Sequence, residues 1–151
     1  MAYFSGREDN KIDEKGRVAL PSKMRALLHP EAENSVVMIP TADPCIKLLP
    51  LDQWREAEAE MVENVDSANK RQRQLRALLM SYAEPQVLDS QGRMRLHPDL
   101  MKRVGLSVKG TAAFIGVGKS IEIYHPDNAP SLDDELSLED AITEFGLGSF
   151  M

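Results

Sequence analysis

Cys45 is the only cysteine in the chain, so no internal disulfide framework is possible, and none of the zinc or phosphate-loop spacings is present. No apolar run approaches the roughly 20 residues needed to span a bilayer, and Met1 to Asn10 lacks the apolar core of a signal peptide. A cytoplasmic chain without a membrane segment is the expectation. The three histidines, His29, His97 and His125, lie far apart and outside any catalytic pattern. They are read as surface or strand-end polar residues, and Cys45, beside an apolar stretch, as a small core residue. No enzyme, metal or cofactor is expected.

Basic residues are missing from one region altogether. Residues 127 to 151 hold seven acids (Asp127, Asp133, Asp134, Glu135, Glu139, Asp140 and Glu144) and no Lys or Arg. The whole chain has 18 basic and 24 acidic residues, a net charge of −6, so removing those seven leaves 18 against 17 for residues 1 to 126. The body is balanced, and binding of a polyanion has to rest on local patches rather than on overall charge. Within the tail, Leu138, Ile142 and Phe145 stand at helical spacing, with Ser137 as N-cap and Gly146 as stop. It reads either as a solvated appendage or as a tethered polyanion competing for nearby cations.

What the chain does contain is a repeat. Ile12-Asp13-Glu14-Lys15-Gly16-Arg17-Val18-Ala19-Leu20-Pro21 returns 76 residues later as Leu88-Asp89-Ser90-Gln91-Gly92-Arg93-Met94-Arg95-Leu96-His97. In both copies Asp and Gly occupy the first and fourth positions of a turn, where Asp can bond back to the backbone and Gly can adopt a left-handed conformation. That predicts a bulged hairpin tip, with the segment from Tyr3 to Asn10 pairing with Val18 to Leu20 across the first one. Beyond each tip, alternation turns Val18, Leu20, Met94 and Leu96 to one face and Arg17, Ala19, Arg93, Arg95 and His97 to the other. Short helices follow over Lys23 to Leu28, opened by Pro21 and Ser22, and from Pro98 to Val104, stopped by Gly105.

Each repeat then carries a second hairpin. Val36 to Ile39 and Ile46 to Leu49 flank a Pro40 to Pro44 turn, and Thr111 to Ile115 and Ile121 to Tyr124 flank Gly116 to Gly118. Between the repeats, Trp54, Ala57, Met61 and Val65 follow a possible cap at Asp52, and Leu75, Leu78, Leu79 and Tyr82 resume helical spacing. The first helix is acidic. The second carries Lys70, Arg71, Arg73 and Arg76, a charge contrast suited to packing on each other or on another subunit.

A single Asp-x-x-Gly-Arg turn is a solvated loop. Two of them, with Arg7, Lys11, Lys15 and Arg17 clustered in the first copy and Arg93 and Arg95 in the second, suit phosphate contact or guanine reading, since Arg donates two hydrogen bonds in a fixed fork. The aspartates and glycines (Asp13, Gly16, Asp89, Gly92) shape the loops.

Taken with Phe4-Ser5-Gly6, the Leu49-Pro50-Leu51-Asp52-Gln53-Trp54 junction and Gln74 to Leu79, these motifs give a chain that resembles the MraZ family over about residues 3 to 125. That family consists of regulators associated with the bacterial division and cell-wall gene cluster and built from two AbrB-like swapped-hairpin modules. The resemblance implies an α/β (α+β) fold of two β-rich AbrB/SpoVT-like swapped-hairpin modules sharing a core. Residues 3–50 form the first module, 51–82 a helical connector, 83–125 the second module and 126–151 the acidic tail. It also implies a transcriptional regulator, usually a repressor, that binds double-stranded DNA at repeated promoter sites as a ring-like homo-oligomer and associates with the nucleoid. Gln91 replaces Lys15 and His97 replaces Pro21 in the second copy, so the second loop is expected to bind more weakly or read different groups. The rival class is an antitoxin-like interaction module whose tail engages a protein partner.

Overall fold

The computed structural model describes residues 3–64, 66–132 and 138–150. Strand β1 (Arg7–Lys11) leads through the first tip to β2 (Arg17–Ala19) and helix α1 (Ser22–Arg25). A hairpin, β3 (Ser35–Pro40) and β4 (Cys45–Pro50), follows and runs directly into α2 (Leu51–Asn64) and α3 (Lys70–Tyr82). The second repeat supplies β5 (Gln86–Val87), β6 (Arg93–Arg95), α4 (Pro98–Val104), β7 (Thr111–Gly116) and β8 (Ile121–Tyr124), and α5 (Leu138–Glu144) lies in the tail. Gly105, at φ +79°, ends α4 as its sequence predicts, and Gly146, at φ +64°, closes α5. Ser137, Val65 and the acids at 133–135 lie outside the described residues.

The turns form where expected, but the pairing across them does not. Six strands make an antiparallel sheet in the order β1-β7-β8-β4-β3-β5, and β2 and β6 form a separate two-stranded ribbon. Arg7 to Lys11 therefore pairs with Thr111 to Ile115 of the other repeat, not with Val18 to Leu20 across its own tip. Reciprocally, Ser35 and Val36 pair with Val87 and Gln86. A side-chain amide replaces the missing ladder: Asn10 Nδ2 donates to Ala19 O at 2.7 Å. Gln86 does the same 76 residues on, donating to Arg95 O at 2.8 Å and accepting from Arg95 N at 3.0 Å. These bonds occupy backbone groups of Ala19 and Arg95 on the side turned from the ribbon, where a neighbouring strand would otherwise pair, and the first strand of each repeat pairs elsewhere.

Alternation then builds three layers. Val36, Met38, Ile46, Leu48, Ala112, Phe114, Ile121 and Ile123 turn from the sheet into one core. Val18 and Met94 from the ribbon, and Met24, Leu100, Met101 and Val104 from α1 and α4, close that core from the other side. On the opposite face of the sheet, Val37 receives Leu51 and Trp54 of α2, while Cys45 and Ala113 pack with Tyr124 and Ala129. Asp52 lies inside the first turn of α2 rather than capping it, because β4 ends at Pro50 and the helix starts at Leu51. Past Trp54 most of α2 is exposed, and α3 buries no residue and leaves Leu75, Leu78 and Met80 open.

All three histidines do one job. Each precedes Pro and an acid, and its Nδ1 accepts a hydrogen bond from the amide two residues on: Glu31 at 3.1 Å, Asp99 at 3.1 Å and Asp127 at 3.0 Å. They cap helical turns, as Asn and Asp more often do. Phe114 is fully buried where both repeats contribute to the core. Phe114→Ala should cost about 3–5 kcal/mol, read as a lower denaturation midpoint with an unchanged circular dichroism spectrum below the transition.

Candidate nucleic-acid interface

Each tip is organised by one carboxylate. Asp13 N donates to Arg17 O at 2.8 Å and Gly16 N to Asp13 O at 3.1 Å, which closes the turn. Asp13 Oδ1 accepts from the amides of Lys15 and Arg17, both at 2.9 Å, and Oδ2 accepts from Arg17 Nε at 2.8 Å. The second tip repeats this arrangement: Asp89 Oδ1 accepts from Gln91 N and Arg93 N at 2.9 Å, and Oδ2 from Arg93 Nε at 2.8 Å. Gly16 and Gly92 stand at φ +78° and +74°, the left-handed conformation that the turn needs and that side chains resist. The carboxylate thus fixes both the loop and the arginine that leaves it.

Pairing of β2 with β6 brings the tips together. Arg17 lies opposite Arg95, Val18 opposite Met94 and Ala19 opposite Arg93. With Val18 and Met94 in the core, Arg17, Arg93 and Arg95 share the outer face of the ribbon. Leu20 N donates to Gly92 O and Leu96 N to Gly16 O, each at 2.9 Å, so each strand runs past the opposite tip. Arg93 Nη1 is 4.0 Å from Asp13 Oδ2, a contact that crosses from one tip to the other. Arg17 and Arg93 use Nε on their own aspartates, which leaves their terminal nitrogens as the remaining donors.

The other cations singled out by the sequence are placed differently. Lys15 is exposed in the first turn and lines a cleft with Arg95. Lys11 is exposed at the end of β1 opposite Thr111. Arg7 also lies on β1, at the edge of the large sheet, where it forms a two-point pair with Asp9 at 2.9 and 3.1 Å. It is therefore already partnered, and it is not on the ribbon. Two cations that sequence reading passed over lie against the tips. The side chain of Arg25 packs over Gly92, and Lys102 lines the cleft beside Gly16. Neither belongs to the repeated motif, and each lies on a helix of the other repeat, so spacing along the chain does not connect them to the tips.

Backbone and side-chain donors from Arg17 hold the Asp13 carboxyl below its ordinary value near 3.8, and Arg93 does the same for Asp89. A carboxylate whose pKa is depressed in the fold contributes stability above its unfolded value and loses it as pH falls through the lower folded one. In amide spectra followed from pH 5 downward, the Lys15, Arg17, Gln91 and Arg93 signals should shift with midpoints below 3.8. Asp13→Asn should silence the first pair only; midpoints at or above 3.8 contradict the carboxylate-centred tip. Separately, Gly16→Ala should destabilise by about 1–2 kcal/mol through its left-handed backbone alone, since a Cβ there meets open space. Gly92→Ala should cost about the same in that assay, because the nearest atoms a Cβ would meet belong to the end of the flexible Arg25 side chain, which can move aside.

Among the described residues no helix is long and apolar enough to cross a membrane, and no group of His, Cys, Asp and Glu could hold a metal ion. Residues 3–77 match the MraZ protein family, which carries an antitoxin-like description. The transcriptional regulator MraZ of Methylococcus capsulatus is 33% identical over 121 residues, 80% of this chain and 78% of its own. That of Thermomicrobium roseum is 31% identical over 136 residues, 90% of this chain and 91% of its own. The Tolumonas auensis regulator of the same name is 38% identical over 96 residues, 63% of this chain and 62% of its own. The family match spans the first tip, the two relatives that cover four-fifths or more of the chain extend the likeness beyond it, and the chain belongs to the MraZ family of transcriptional regulators.

Proposed function

We propose that this regulator binds double-stranded DNA through the β2–β6 ribbon and acts as a repressor at repeated promoter sites of the division and cell-wall gene cluster. The observation that carries the reading is the pairing of the two tips, which places Arg17, Arg93 and Arg95 on one outer face of an antiparallel ribbon. A two-stranded ribbon fits the major groove of B-DNA, about 12 Å wide, and arginine is the side chain that reads guanine there with two hydrogen bonds. Arg17 and Arg93, oriented through Nε by their aspartates, offer their terminal nitrogens to base edges; Lys11 and Lys15 neutralise phosphates. In this reading residues 3–50 and 83–125 are the two modules that supply one tip each, and 51–82 is the connector.

One ribbon makes few contacts, so affinity comes from several copies engaging repeated sites at once. Leu75, Leu78 and Met80 are exposed apolar residues on α3, a helix with no fully buried residue that reaches the core through the half-buried Tyr82, which supports assembly into a ring-like homo-oligomer. Such a protein works in the cytoplasm on the nucleoid. Gel shifts of duplex from the region upstream of its own gene, against a scrambled duplex of equal length over a salt series, test the reading. A preference for the upstream duplex is expected, with affinity falling steeply as salt rises. An interaction module of the antitoxin-like class shows no preference. Arg17→Ala should lose about 1–3 kcal/mol of discrimination for each base contact removed, with circular dichroism and oligomer size unchanged. Arg93→Ala should act in the same direction. Unaltered shifts in both variants remove these arginines from the interface.

A further inference from the structure

We propose that each tip is completed by a cation from the helix of the opposite repeat, Arg25 of α1 at the second tip and Lys102 of α4 at the first, and that both contact DNA phosphates. The inference rests on the DNA-binding reading and extends its site to two residues outside the repeated motif. Its basis is the crossing of the strands. Because Leu20 N bonds Gly92 O and Leu96 N bonds Gly16 O, the helix that follows each strand lands beside the other repeat's tip.

At the second tip Arg25 fills the space over Gly92. An ideal Cβ on that glycine would lie 2.6 Å from Nη1, 3.0 Å from Cδ and 3.1 Å from Cζ of Arg25, so the end of that side chain occupies the space a side chain at Gly92 would take. No carboxylate among the described residues pairs with that guanidinium, in contrast to Arg7, Arg17 and Arg93. At the first tip the space over Gly16 is empty, and the repeat counterpart of Arg25 is Met101, buried at 7% exposure. There the added cation is Lys102, which lines the cleft with Lys15 and Arg95; its counterpart 76 residues earlier is Ala26.

The differences between the repeats thus offset one another. Gln91 removes a lysine from the second turn, and Arg25 restores a positive charge at the same place from another element. The turn that carries Lys15 has no residue over its glycine and gains Lys102 at its side. Placement at the end of a helix gives a basic residue a favourable dipole interaction. That cannot account for Arg25 in α1, which has only four residues, or for its position against the opposite tip.

The repeat itself suggests the variants: Arg25→Met and Lys102→Ala put at each position the residue its counterpart holds, and Met keeps an unbranched side chain over Gly92. The probe is a mixed-sequence duplex, with dissociation constants measured over a salt series on the full chain. Each variant should lower the slope of log affinity against log salt by about 0.9 per engaged tip. The ratio of affinities for upstream and mixed duplex should stay as in the parent, since phosphate contacts carry no sequence information. Arg25→Lys keeps the charge and should keep the slope. If Arg25→Met and Lys102→Ala leave the slope unchanged while Arg17→Ala loses binding, the inference is wrong and the DNA-binding reading stands. A slope that drops as far in Arg25→Lys as in Arg25→Met also overturns it, because packing rather than charge is then responsible. A parent protein that binds neither duplex overturns both.

Discussion

The structure turns on a carboxylate that accepts three N–H groups at once. Asp13 binds two amides of its own turn and the Nε of the arginine that follows, and Asp89 repeats every one of those bonds. A carboxylate is suited to this because it only accepts, has several lone-pair sites, and forms short, charge-assisted hydrogen bonds with backbone and guanidinium N–H donors. With the turn closed locally, the two strands that enter and leave it need not pair with each other. That freedom is what the rest of the fold uses.

Once pairing across the tip is given up, each repeat has a first strand without a partner and a short second strand with one edge open. Reciprocal exchange answers both needs. β1 completes the sheet beside β7, β5 does so beside β3, and β2 and β6 find each other. Neither repeat then has a sheet or a core of its own; the large apolar cluster takes Ile12, Val18 and Met38 from one and Leu88, Met94 and Phe114 from the other. The same approximate twofold relation pairs β4 with β8 at the centre, where Lys47 and Glu122 face each other in register and lie 4.0 Å apart.

Much of this was legible in the chain. The 76-residue offset located the turns, the glycines, the ribbon alternation and the second hairpins, because each depends on a local rule: Asp at the start of a turn, Gly at positive φ, apolar residues at every second position. Strand exchange was implied only by the swapped-hairpin resemblance and escaped the reading of the residues themselves, since short strands on either side of a tight turn pair with each other by default. The clue was small. Asn10 and Gln86, both amides and 76 residues apart, take over the hydrogen bonds a neighbouring strand would have made. For the histidines, the shared order His-Pro-acid marked a cap in each case, a pattern visible in the sequence once its geometry is known. Arg25 and Lys102 were not legible at all, because their proximity to the tips exists only after the strands cross.

Charge has to be judged by the same local standard. The chain is acidic overall, yet an exposed charge more than a Debye length away, about 10 Å at 0.1 M salt, contributes little at the ribbon. What matters there is which cations remain available. Arg7 is occupied by Asp9 on another sheet, and Arg17 and Arg93 are each partly neutralised by the aspartate that orients them. A guanidinium held this way loses attraction for a phosphate but keeps a fixed direction, the trade expected of a group that discriminates between bases rather than one that only adds affinity. Under the DNA-binding reading, the attraction is left to residues without such partners on the neighbouring turn and helices, so direction and attraction are divided between different side chains.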